Sequence, residues 1–86
     1  MDDVQLIIRK FLVDDLFVEF PEPEIGSDDR LRAEFGLDSL GFVELRVLCE
    51  QRFGIHISDE DFSTENFTSI NSVADLVQKL RAAQGV

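Results

Sequence analysis

Apolar residues recur at spacings of three and four in three separate stretches of the chain. In the first, Val4, Ile7, Ile8, Phe11, Leu12 and Leu16 form one stripe with Arg9 and Lys10 turned away, which predicts an amphipathic helix from Asp2 to about Leu16. Acidic residues at its start suit the positive end of a helix dipole. The pattern then breaks. Residues 17–37 include "FPEPEIGSDDRL", with both prolines and an acid pair, and predict a long loop pinned to the core by Ile25, Leu31 and Phe35. A short helical turn fits around Arg30 to Glu34.

The second stretch predicts a helix from Ser39 to Arg52 or Phe53, stopped by Gly54. Ile55 and Ile57 follow as a brief apolar link, and Ser58 or Asp59 is placed to cap a short third helix over Glu60 to Ser63. In the third stretch Ile70, Val73, Leu76, Val77 and Leu80 predict a last helix through about Ala82, capped by Ser69 or Asn71. No strand of useful length is indicated. The expected fold is all-α: a small four-helix bundle of three longer helices plus a short third one, with a long loop between helices one and two. Residues 1–86 are expected to form a single domain.

The helix beginning at Ser39 is apolar on two sides. At 100° per residue, Phe42, Leu45, Cys49 and Phe53 fall within about 80°, while Leu40, Val43 and Val47 span about 60° elsewhere, beside Glu44. Either this helix is central and packs against two neighbours, or Leu40 and Val47 stay partly exposed as a docking ridge. In the second case Asp38, Glu44 and Glu50 form a charged rim, the arrangement of transient interfaces.

Composition narrows the partners. A net charge of -10 and a pI near 4.2 argue against nucleic acid and against anionic membrane surfaces. Basic patches on other proteins are the complementary surface. No run approaches a membrane span, so no membrane insertion is expected. The lone Cys49 has no internal disulfide partner, and the acidic N-terminus lacks the pattern of a secretory signal, so a cytoplasmic monomer is expected. An 86-residue chain with 44% apolar residues buries only about 60 to 65% of its unfolded surface, and its stability should be modest.

Candidate chemistry centres on Ser39 in "FGLDSLGFVEL". A serine at a helix start is an ordinary cap, a nucleophile, or an attachment point for a phosphate-linked group. Nucleophilic catalysis lacks a partnered base, since the only histidine is His56, and no Gly-x-Ser-x-Gly elbow is present. Cys49 falls in the core sector, and His56 has no second ligand nearby, so no metal site is expected. Asp59, Asp61 and Ser63 alternate like a calcium loop, but Thr64 and Ile70 stand where glycine and glutamate are required.

These residues resemble the acyl carrier protein family. Its Asp-Ser-Leu signature, at the start of the second helix, matches "GLDSL" from Gly36 to Leu40; "VEL" at Val43 to Leu45 and "RFGIHISDEDF" from Arg52 extend the match over Val4 to Leu80. The resemblance implies a non-catalytic carrier with 4'-phosphopantetheine, derived from coenzyme A, covalently attached to Ser39, whose thiol holds acyl or aminoacyl groups as thioesters. It implies docking at Asp38, Leu40, Glu44 and Val47 by a phosphopantetheinyl transferase and by acyl-loading and acyl-processing enzymes with basic patches, and the two-sided helix adds Val43 and Glu50 to the expected docking residues. Gly41 replaces the family's usual acid, and Arg46 and Arg52 add positive charge. Service in polyketide, specialised lipid or other secondary metabolism is therefore expected over housekeeping fatty-acid synthesis. Cargo sheltered in a cavity lined from the Phe42 and Cys49 side, and cargo left in solvent, both fit the sequence. The contrasting possibility is an unmodified acidic helical interaction module in which Ser39 is only a cap.

Overall fold

A computed structural model describes residues 3–85. Helix α1 spans Val4–Lys10 and continues as a wider π-helical turn over Phe11–Asp15. A 3₁₀ turn at Glu22–Glu24 interrupts the long connection, and a short helix α2 follows at Leu31–Phe35. Helix α3 covers Ser39–Phe53 and α4 covers Ile70–Gln84. The described residues are helix and turn throughout, without strands, as the apolar spacing predicts. The expected Asp2 start of the first helix lies outside the described residues. Asp3 caps α1, its side chain accepting from the Leu6 amide at 3.1 Å.

The short helix expected over Glu60 to Ser63 is instead two single turns. Phe62 N–H donates to Ser58 O at 2.9 Å and Phe67 N–H to Ser63 O at 3.1 Å. Each turn has a serine cap, Ser58 Oγ accepting from Asp61 and Ser63 Oγ from Asn66, but neither continues. Phe62 and Phe67 meet edge to face at 5.0 Å across the junction. The fourth helix is thus α2, where the sequence admits only a turn.

One core joins these elements. Ile8, Leu12, Leu45, Cys49, Ile57, Ile70, Val73 and Val77 are fully buried, α1 packs on α4, and α3 packs on α4 and the π-helical turn. Ile25 and Leu31 are buried as expected of loop anchors, with Phe35 half-buried. Polar contacts hold the same loop. Arg9 Nε donates to Ile25 O at 3.0 Å, the Asn71 amide to Ser27 O at 3.0 Å, and the Leu31 amide to Thr68 O at 2.9 Å. Buried carbonyls and amides along an irregular segment need such partners, since each orphan costs about 1–3 kcal/mol.

The turn before α3 fixes where Ser39 points. Gly36 ends α2 in the left-handed conformation (φ 68°), with its amide on Arg32 O and the Leu37 amide on Leu31 O. Glycine meets that geometry without a Cβ clash. Leu37 then turns into the core and Asp38 and Ser39 face outward.

Candidate functional site

The first turn of α3 assigns separate roles to two adjacent residues. Asp38 is the N-cap: its Oδ1 accepts from the Gly41 amide at 2.8 Å. Ser39 is the first helical residue, exposed, and its hydroxyl has no hydrogen-bond partner among the described residues. A capping duty for Ser39, which the sequence leaves open, is therefore already met by its neighbour. Gly41 has its own packing reason, because a Cβ there would lie 2.7 Å from Leu37 Cδ1.

Two depressions flank Ser39. On one side Ser39 lines a groove of about 720 Å³ between α2, α3 and the 62–68 turns, with Phe42, Val43, Phe62 and Phe67 as its apolar surface. That volume is within the range of about 300–1,000 Å³ common for small-ligand sites. Phe42 lies on it as the sequence suggested; Cys49 does not, being fully buried in the core. On the other side a depression of about 550 Å³ is lined by Leu40 and Glu44 of α3 and by Phe17 of the first loop.

The outer flank of α3 carries most of the expected docking residues. Leu40 is 69% exposed, Val43 45% and Val47 42%, and Asp38 and Glu44 are exposed beside them. The other apolar flank, Leu45, Cys49 and Phe53, is buried. The two-sided pattern thus separates into one core face and one solvent-facing ridge. Glu50 is not brought to that ridge. Its Oε2 accepts from the Ile57 amide at 2.8 Å and lies 3.4 Å from His56 Nδ1, so it braces the chain leaving α3.

Arg46 also serves the inside. Its guanidinium donates to Ile57 O and, at 3.1 Å, to Asp59 Oδ1, and it lies 5.0 Å from the Phe62 ring centroid. It therefore holds the wall of the groove and adds no positive charge to the ridge. Sequence spacing gave no sign of this, because a long side chain reaching a distant carbonyl leaves no periodic trace.

Phe17 is a second residue that spacing does not flag. It ends the π-helical turn with φ 57° and is 79% exposed. A bulky side chain in the left-handed region costs about 1–2 kcal/mol, and here it stands solvent-exposed beside Leu40 in the second depression.

The residues present suit a phosphate-linked attachment: an unengaged hydroxyl, at the positive end of a fifteen-residue helix, opening onto an apolar groove. The family model described as "Phosphopantetheine attachment site" matches residues 9–78. The chain is 33% identical over 79 residues to the acyl carrier protein of Buchnera aphidicola subsp. Baizongia pistaciae, covering 92% of this chain and 96% of that one. It is also 33% identical over 79 residues to acyl carrier protein 2 of Pseudomonas aeruginosa, covering 92% and 95%.

Proposed function

The chain belongs to the acyl carrier protein family, and from that premise we propose that Ser39 bears its arm and that residues 1–86 act as one carrier domain. The family's domain is the site of covalent 4'-phosphopantetheine attachment, and its members are carriers rather than catalysts. When bound, the arm supplies a terminal thiol on which acyl groups are held as thioesters.

The observation that carries the assignment is the free Ser39 hydroxyl beside a cap already supplied by Asp38. Loading forms a bond from Ser39 Oγ to phosphorus and breaks the pyrophosphate P–O bond of coenzyme A. Adenosine 3',5'-bisphosphate leaves, the hydroxyl proton passes to a base on the phosphopantetheinyl transferase, and Mg²⁺ is held by that enzyme and the pyrophosphate. At the positive end of α3, where Asp38 already takes the Gly41 amide, the remaining first-turn amides would favour the negative charge of the phosphodiester. No helix among the described residues is long and apolar enough to cross a membrane, and a monomer working in the cytoplasm is part of the reading proposed here.

Docking uses the outer flank of α3. Leu40, Val43 and Val47 supply apolar anchors, and Asp38 and Glu44 steer basic patches of the transferase and of acyl-loading and acyl-processing enzymes. Glu50, occupied by the Ile57 amide, is left out of that rim. Gly41 thins the acidic face where a docking charge would otherwise stand, which supports a dedicated carrier in polyketide or specialised lipid synthesis. Capture of the native thioester from the host, identified by mass, tests that assignment.

Attachment is tested by intact mass after incubation with coenzyme A, Mg²⁺ and a promiscuous phosphopantetheinyl transferase. The wild type is expected to gain one arm and Ser39→Ala none, with its helical spectrum unchanged. A well-folded wild type that gains nothing across several transferases would return the chain to an unmodified interaction module.

A further inference from the structure

The groove that starts at Ser39 has no acidic residue on its walls, in a chain with eighteen acids and a net charge of -10. It has two arginines instead. Arg30 is set beside the 64–68 turn by the bond from the Leu31 amide to Thr68 O, and Arg32 places its guanidinium 5.6 Å from the Phe42 ring centroid. Phe42 is three residues along α3 from Ser39, one helical turn away on the same side.

These two cations differ from their neighbours in what they are joined to. Arg9 is spent on Ile25 O and Ser27 Oγ, and Arg46 on Ile57 O and Asp59. Among the described residues the Arg30 side chain makes no hydrogen bond or ion pair, and the Arg32 side chain has only its contact with Phe42. Ser63 and Thr64 line the same wall. An apolar trough rimmed by unpaired guanidinium groups suits a ligand with a short hydrocarbon segment and an anionic oxygen pair at its end, which arginine binds in a two-pronged fashion.

We propose that the groove selects cargo whose acyl chain ends in a carboxylate: the hydrocarbon segment lies along Phe42, Val43, Phe62 and Phe67, and the carboxylate is read by Arg30 and Arg32. The inference rests on the assignment of Ser39 as the attachment residue and adds to it the chemical class of the load. It implies that the enzyme charging this carrier handles a dicarboxylic acyl group through one of its two carboxyls.

The test loads the full chain from octanoyl-coenzyme A or octanedioyl-coenzyme A with a promiscuous transferase, verifies each product by intact mass, and follows cleavage of the thioester by hydroxylamine. The carboxylate-tipped cargo is expected to be cleaved about three- to tenfold more slowly than the methyl-tipped cargo. Arg30→Gln/Arg32→Gln should abolish that difference and leave the octanoyl form as it was. Arg30→Gln alone, at a side chain that holds nothing in the fold, should remove part of it. A ¹³C label at the terminal carboxyl gives an independent readout: its titration should move to lower pH in the wild type and return toward the free acid in the double variant. Equal cleavage of the two cargoes in the wild type overturns the proposal. So does an equal loss of protection for both cargoes in the arginine variants, which would assign the guanidinium groups to the phosphodiester. A wild type that gains no mass removes the premise, and the proposal with it.

Discussion

Asp38 is placed to do two jobs, and substitution can separate them. Its Oδ1 caps α3 through the Gly41 amide at 2.8 Å, and its charge stands on the exposed rim next to Leu40. Asp38→Ala removes both. Loss of an N-cap costs about 1 kcal/mol, and loss of a negative charge at a helix N-terminus costs about 0.3–1 kcal/mol more. Asp38→Asn keeps a side-chain oxygen that caps nearly as well and loses only the charge. For a domain of this size 1 kcal/mol moves Tm by roughly 4–8 °C. Thermal unfolding followed at 222 nm should therefore show Asp38→Ala lowered by roughly 5–16 °C and Asp38→Asn by roughly 1–8 °C, the alanine variant always the lower of the two. Transferase turnover, measured where both variants are folded, should fall by a similar factor in the two, about three- to tenfold in kcat/KM, because each has lost the same charge. Stability divides the pair and turnover does not. If Asp38→Asn is as unstable as Asp38→Ala, the cap assignment is wrong. If turnover follows Tm instead of charge, the rim role is wrong.

Three further outcomes follow from the same geometry. Val47→Asp, at an exposed site on the ridge, should leave the helical spectrum and Tm within about 0.5 kcal/mol of wild type while weakening turnover with the cognate partner; unaltered kinetics would contradict a ridge there. Leu45→Ala, fully buried on the opposite flank of α3, should cost about 2–5 kcal/mol in urea denaturation. Burial, with the Glu50 charge adding to it, pushes the Cys49 thiol from 9.0 up to about 12. The folded state holds that proton after the unfolded chain has released it, so stability is intact below about pH 9 and declines as pH rises toward 12, by up to about 1.4 kcal/mol per pH unit. Cys49→Ala should flatten that part of the curve, and native Cys49 should resist alkylation at pH 8 until the chain is unfolded.

Where periodicity governs, the sequence and the structure agree closely. Helix α3 begins at Ser39 and stops at Gly54 because its apolar repeat ends there and only glycine enters the left-handed turn freely. Ile25 and Leu31 stand out as isolated apolar residues in a polar loop, and both are buried. The exposed flank of α3 was legible as a second apolar sector that a single core could not cover. Three features were not legible, each for a physical reason. Aspartate and serine cap helices about equally well, so "DS" cannot say which of Asp38 and Ser39 has the duty. The caps at Ser58 and Ser63 are those of helices, yet each turn closes on a phenylalanine that packs on the other, and propagation stops. Glu50 and Arg46 look like surface charge by spacing, but their reach lets them satisfy the Ile57 amide and carbonyl. The tertiary need of one irregular residue overrides the helical wheel.

Arg46 has a wider consequence. One guanidinium on α3 grips the strip that carries Phe62, while the outward side of the same helix is the ridge proposed for docking. A single rod thus bears both the solvent-facing ridge and, through Arg46, the brace of one groove wall.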